Sequence, residues 1–233
     1  RQVVLADLDG DGSDELLALD PGGNAIIVHR QTDTGYDAGT SSPTLKSPAG
    51  LDIGPWAGGE QRVFVLSTEE AAVGASSIDR AGNVGFPSLL RLATAGGEPV
   101  AIRHVSLPGS ALAVVVKDRR DFVLEIHRPA SEVGGTPPAP AVIELDALRR
   151  EPAAILSVDA DRDGLIDLLL LTPGQPLVMV RSVAGGENAN VLSEDSMPQF
   201  GLVRAAAPGN TAIADLDGDG TSELLIAELD RED

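Results

Sequence analysis

Three stretches of this chain carry a carboxylate at every second position. Asp7, Asp9, Asp11 and Glu15 follow a D-x-D-x-D-G-x-x-E spacing, with Gly12 in the sixth place. Asp215, Asp217, Asp219 and Glu223 repeat it with Gly220, and Asp159, Asp161, Asp163 and Asp167 repeat it with Gly164. Alternate carboxylates converge when the backbone curls around a point, and Gly at the sixth place permits the sharp turn. Hard oxygen donors at this density suit Ca²⁺ better than zinc or copper. An EF-hand would need Glu at the twelfth position, where Ala18, Leu170 and Ile226 stand instead. The acid at the ninth position marks a shorter loop. Like charges held this close destabilise a folded loop unless a cation neutralises them. Solvated Asp-rich turns are the alternative; three copies with the same ninth-position acid speak against it.

The loops sit inside a larger repeat. Residues 6–17 and 214–225 are identical at ten of twelve positions, and a third copy runs over 158–169. A shift of 152 lays Leu19-Asp20-Pro21-Gly22 over Leu171-Thr172-Pro173-Gly174 without a gap. A shift of 98 lays Ile26–Arg30 over Leu124–Arg128. The unit is about 50 residues, giving 2–49, 50–99, 100–151, 152–209 and an incomplete 210–233. The second and third units keep the apolar runs but lack the acids. Val3–Leu5, Ile102–Val105, Ile155–Val158 and Thr211–Ala214 read as strands entering the loop. Leu16–Leu19, Val63–Leu66, Leu112–Val116, Leu168–Leu171 and Leu224–Ala227 read as strands leaving it, apolar enough to be buried on both faces. Ala25–His29 and Val123–His127 supply third strands; Ser88–Leu92, Ala141–Leu145 and Phe200–Arg204 supply fourth ones. Stretches 31–43, 129–140 and 182–198 read as loops between outer strands, where partner specificity could be grafted.

Four strands per unit of this length predict an all-β fold, a β-propeller with four-stranded blades. A sandwich is the alternative, but it does not need whole-unit repetition. About four and a half blades are present, which predicts a segment of a larger propeller with further blades of the same polypeptide.

The three loops resemble FG-GAP or VCBS-type repeats of integrin-like calcium-binding β-propellers. The resemblance implies one calcium per loop, held between the first two strands of a blade. It implies side-chain ligands Asp7, Asp9, Asp11 and Glu15; Asp159, Asp161, Asp163 and Asp167; and Asp215, Asp217, Asp219 and Glu223. The backbone carbonyls of Ser13, Leu165 and Thr221 would complete the three shells. Phe200-Gly201 and Ala206-Ala207-Pro208 are faint echoes of the family's Phe-Gly and Gly-Ala-Pro signatures, which leaves the subfamily open.

Composition narrows the function. With 17 Lys+Arg against 36 Asp+Glu, the formal charge is −19, which argues against nucleic acid as a partner because phosphate binding needs a basic face. The absence of Cys excludes disulfides, thiolate zinc sites and a Cys nucleophile. An apolar content of 42% suffices for a packed core, and no apolar run reaches membrane-spanning length. Any signal peptide would lie outside this chain. No H-E-x-x-H, G-x-S-x-G or phosphate-loop motif is present. His29 and His127 recur at equivalent third-strand positions, which suggests a structural or solvent-facing role. His104 could face a central channel, and Ser110 has no partner that sequence identifies. Trp56 replaces the acids of the second unit; packing across the vacated site is expected, with a sugar-stacking platform as the alternative. The Arg119-Arg120 and Arg149-Arg150 turns read as solvated corners.

The expected function is a calcium-stabilised, non-catalytic binding or adhesion module for a protein or glycan ligand. It would work outside the cytosol: extracellular, at the cell surface or periplasmic. The alternative is the scaffold of a polysaccharide-active enzyme such as a lyase. With one Tyr, three His and only Lys46 and Lys117 as lysines, the chain is poorly equipped for that chemistry.

Overall fold

A computed structural model describes residues 2–106, 109–131, 135–160, 162–172, 174–181, 190–192, 206–207, 209–220 and 222–227. The fold is all-β, with one short 3₁₀ turn at Ala57–Gly59. Four antiparallel sheets follow one another along the chain, each with four strands in consecutive order. The first holds β1 (Val3–Ala6), β2 (Glu15–Asp20), β3 (Ala25–His29) and β6 (Thr40–Pro43). A small hairpin, β4 (Gln31–Thr32) with β5 (Gly35–Tyr36), fills the connection before β6. The second holds β7 (Pro48–Pro55), β8 (Gln61–Ser67), β9 (Ala72–Ser77) and β10 (Ser88–Leu89). The third holds β11 (Glu98–Val105), β12 (Ala111–Asp118), β13 (Asp121–His127) and β14 (Ala141–Glu144). The fourth holds β15 (Ala154–Val158), β16 (Asp167–Leu171), β17 (Val178–Arg181) and β18 (Asn190–Leu192). A final pair, β19 (Thr211–Ala214) and β20 (Glu223–Ile226), follows.

The continuous apolar runs have a simple physical origin. Successive strand residues point to opposite faces, and the second strands of the three middle sheets, β8, β12 and β16, are covered on both. On β8, Val63 and Val65 pack with Leu17, Ile26 and Leu51 of the first interface. Phe64 and Leu66 turn to the other side and pack with Leu112, Val114 and Val116 of β12. Ala113 and Val115 of β12 join Leu168 and Leu170 of β16. Leu169 and Leu171 of β16 then meet Ile213, Leu224 and Ile226 of the last pair. Consecutive sheets therefore stack face to face, each interface with its own core. Fourth strands have lost one neighbour: β10 is exposed throughout, and one residue of β6 and one of β14 are buried.

The first strands form a second line of contact, β1 with β7, β7 with β11 and β11 with β15. Gln2 clamps the chain start to β7: its Nε2 donates to Leu51 O at 2.6 Å, and Leu51 N donates to its Oε1 at 2.9 Å. The backbone N of His104 on β11 donates to Asp52 Oδ2 on β7 at 2.7 Å.

Several boundaries differ from the sequence expectation. β11 starts at Glu98, before the expected Ile102, because Pro99 is absorbed by a bulge between Pro99 and Ala101. Pro48 and Gly50 on β7 do the same. Residues 31–43, expected as loop, contain β4, β5 and β6, and 182–198 contains β18. These strands are short and polar, so no hydrophobic alternation marks them. The expected fourth strand at Phe200–Arg204 lies outside the described residues.

Candidate metal centres

Each acidic stretch is the connection between the first and second strands of its sheet: β1–β2, β15–β16 and β19–β20. The register pairs Ala6 with Glu15, Val158 with Asp167 and Ala214 with Glu223. The ninth-position acid is thus the first residue of the returning strand in all three. Pairing leaves eight residues to close the turn, and they do so with closely similar internal hydrogen bonds.

In the first loop, Asp7 accepts from two backbone donors, Gly10 N at 2.7 Å on Oδ1 and Gly12 N at 3.0 Å on Oδ2. In the third, Asp215 does the same with Gly218 N at 2.8 Å and Gly220 N at 2.9 Å. In the second, Asp159 accepts from Asp163 N at 3.1 Å and Gly164 N at 2.9 Å. The ninth acid accepts from the backbone N of the second loop residue each time. These bonds are Leu8 N to Glu15 Oε2 at 2.8 Å, Ala160 N to Asp167 Oδ2 at 3.0 Å and Leu216 N to Glu223 Oε2 at 2.9 Å. Two loop positions are left-handed in every copy: Gly10 and Gly12, Arg162 and Gly164, and Gly218 and Gly220, with φ between 63° and 88°. The sixth position was expected to need Gly; the fourth needs the same conformation, and Arg162 adopts it against its side chain.

Carboxylate oxygens of Asp7, Asp9 and Glu15 lie within 4.8 Å of one another, and so do those of Asp215, Asp217 and Glu223. These two groups could hold a metal ion. Asp11 and Asp219 fall outside them, and Asp11 Oδ1 accepts from Ser13 N at 2.7 Å. In the second loop, Asp163 Oδ1 accepts from Leu165 N at 2.8 Å. Asp161 and Thr221 lie outside the described residues. Glu15 and Asp167 are buried and Glu223 half-buried. Among the described residues, no Lys, Arg or His lies within 4.0 Å of Glu15. An anion withdrawn from water is stable only with a compensating charge or several donors. The donor set is all oxygen and carboxylate-rich, which fits a hard divalent cation. Arg162 Nη2 of the second loop approaches Glu223 Oε1 of the third at 3.9 Å.

In the second and third sheets the equivalent connections, β7–β8 and β11–β12, lack the alternating carboxylates; the single acid there, Glu60, pairs with Arg62 at 3.0 Å. Gly58 and Gly59 take φ of 71° and 80°, and Trp56 N donates to Glu60 O at 2.8 Å. Trp56 meets Phe64 edge-on, ring centres 5.0 Å apart, and joins the core between the second and third sheets. His104 is buried, stacked on Phe64 at 5.7 Å, with its ring against Gly54, where a Cβ would fall 2.0 Å from Nδ1. The partner for Ser110 that sequence does not identify is this histidine: Nε2 lies 2.9 Å from Ser110 Oγ and 2.9 Å from Pro55 O. Ser110 Oγ also donates to Pro55 O. A carbonyl accepts only, so the network closes when Nε2 carries its proton and the serine proton points to Pro55. Nε2 is then a donor, not a base aimed at Ser110. Burial lowers the His104 pKa, although the Pro55 carbonyl and Asp52 oppose this, which favours the neutral ring.

A buried polar pair escaped sequence reading. Glu125 and His127, two apart on β13 and so on one face, are both buried and joined by a 2.9 Å bond from Nε2 to Oε2. Glu125 also accepts from Ala93 N at 2.9 Å and Thr94 N at 2.8 Å, on the linker leading into β11. Its apolar flanks, Leu124 and Ile126, conceal the signal. His29 holds the matching place in register, opposite Leu16 as His127 is opposite Leu112. It differs in partner, with Nδ1 3.0 Å from Asp37 O.

No protein-family model matches the chain, and no curated protein matches it. Among solved structures it is similar to BBS1N, determined in complex with ARL6DN and soaked with lead. The identity is 12% and the TM-score 0.49, over 82% of this chain. The chain spans 55% of the length of that one. Among the described residues, no helix is long and apolar enough to cross a membrane.

Proposed function

We propose that this chain is a run of consecutive β-propeller blades of the FG-GAP or VCBS type, stabilised by calcium and acting as a non-catalytic binding or adhesion module. The face-to-face stacking of successive four-stranded sheets supports the blade reading, since β8, β12 and β16 are each sandwiched between two neighbouring sheets. One observation carries the calcium reading: a buried Glu15 with, among the described residues, no cationic side chain beside it, gathered with Asp7 and Asp9 in a turn whose hydrogen bonds recur in the third loop. Asp7, Asp9, Asp11 and Glu15 would hold one ion, with the equivalent acids of the other two loops holding one each. The ion supplies positive charge that cancels carboxylate repulsion; the chain's own residues close the turn. A structural role follows, because the β7–β8 connection is closed by Trp56 and glycines where the alternating carboxylates are missing. Extracellular-type sites bind at roughly 10⁻⁴–10⁻³ M, so the protein would work outside the cytosol. The ligand of the module would be a protein or a glycan, met by the connections between outer strands.

Thermal unfolding with calcium, with magnesium and with excess EGTA tests this reading. Calcium should raise Tm well above the EGTA value, and magnesium should do so less, because it demands tighter octahedral geometry. Identical melting curves in all three would reduce the loops to solvated turns.

A further inference from the structure

Away from the acidic loops the fold gathers positive charge at one point. Lys117, Arg119, Arg120, Arg149 and Arg150 line a cavity of about 610 Å³ with Phe122 and Glu151. Five of the 17 Lys and Arg thus share one cavity in a chain of formal charge −19. The two Arg pairs are 30 residues apart and read from sequence as separate solvated corners. Arg119 and Arg120 form the two-residue turn between β12 and β13, closed by the pairing of Asp118 with Asp121. Arg149 and Arg150 lie on the linker from β14 to β15.

That linker is fixed in place. Leu145 N donates to Phe122 O at 2.9 Å, Leu148 N donates to Leu145 O at 2.8 Å, and both leucines are buried. Lys117 Nζ ties it to β12 through Glu151 Oε1 at 2.7 Å. Among the described residues, no carboxylate lies within 4.0 Å of the Arg119, Arg120, Arg149 or Arg150 guanidinium. Asp118 and Glu98 line an adjoining depression that shares Lys117 and Arg119 with this cavity. With more than two acids per base available, four guanidinium groups around one cavity without acid partners is an arrangement that an anion would relieve. Arg119 moreover holds φ of 59°, a left-handed conformation that costs a long side chain more than it costs Gly.

We propose that this cavity binds a compact polyanion, a small molecule bearing two or more phosphate or sulfate ester groups. Guanidinium forks pair bidentately with such oxyanions, and here the turn and linker that carry them are held together by the Leu145–Phe122 hydrogen bond and the Lys117–Glu151 ion pair. The volume is that of a small-molecule site. The charge of the whole chain sets the size limit: a long polyanion would overrun the patch onto an acidic surface, and a compact one would not. This inference does not depend on the calcium reading.

Calorimetric titration of the full chain with fructose 1,6-bisphosphate and with a trisulfated disaccharide, in calcium buffer at low salt, tests it. At least one should bind, and added salt should weaken it. Tighter binding of the bisphosphate assigns a phosphorylated small molecule; tighter binding of the sulfated sugar assigns a sulfated glycan fragment. Arg149→Ala with Arg150→Ala should weaken binding about tenfold or more. Arg119→Gly should weaken it while Tm holds or rises, which separates lost binding from lost folding. The proposal is overturned if neither probe binds at millimolar concentration, or if the variants bind as the parent does. It is also overturned if a single-stranded oligonucleotide binds more tightly than both probes.

Discussion

Arg162 shows where residue type and backbone disagree. It takes the fourth loop position with φ of 63°, where Gly10 and Gly218 stand in the sister loops. A left-handed non-glycine residue costs about 1 kcal/mol. Its exposed approach to Glu223 at 3.9 Å returns only a fraction of that. We therefore expect Arg162→Gly to stabilise the chain by about 1 kcal/mol, seen as a higher Tm with calcium and with EGTA alike; a lower Tm in both would contradict it. At this scale the acids were legible because type and spacing recur. The conformation of the fourth position was not, because two of its three occupants are Gly and the third hides the requirement. Nor was the His104–Ser110 contact, whose geometry depends on Gly54 in a neighbouring sheet.

Elements are held together by polar pins as well as by apolar cores. Glu125 on β13 fastens the linker at Ala93 and Thr94 to the third sheet. Burial alone would raise its pKa; the His127 hydrogen bond and the Ala93 and Thr94 donors outweigh burial and hold it at about 2, against 4.5 for a free Glu. A carboxyl whose folded pKa is depressed stabilises fully above its unfolded value and loses that contribution as pH falls through the folded one. The window runs from about pH 4.5 down to 2, and the shift corresponds to roughly 3 kcal/mol. Glu125→Gln should thus be less stable than the parent at neutral pH, with a shallower decline in that acid window, measured by denaturant unfolding at a series of pH values. Parallel profiles for variant and parent would remove Glu125 from this role. The second strands β8, β12 and β16 were legible from their apolar runs, because burial on both faces demands it. β4, β5, β6 and β18 were not, because edge strands with one neighbour carry no such demand. Pro48 and Pro99 masked the starts of β7 and β11, where bulges tolerate them.

At the scale of the whole molecule, repetition made the architecture readable: units of about 50 residues map onto successive sheets beginning at β1, β7, β11, β15 and β19. What repetition could not show is which distant segments meet, and the basic cavity between the Arg119 turn and the Arg149 linker is the clearest case. The acidic loops dominate the chain's electrostatics. Their 12 proposed ligand carboxylates are a third of its 36 acids, and three divalent ions would bring the formal charge from −19 to −13. At tenfold excess over Kd each ion would add roughly 1.4 kcal/mol, so three would supply much of a margin of about 5–15 kcal/mol. The central claim is tested most directly by counting ions: calorimetric calcium titration of the chain and of Asp7→Asn and Asp215→Asn variants. We predict a stoichiometry near three for the parent and near two for each variant. Absence of calcium binding by the parent, or a stoichiometry that neither substitution changes, would contradict it.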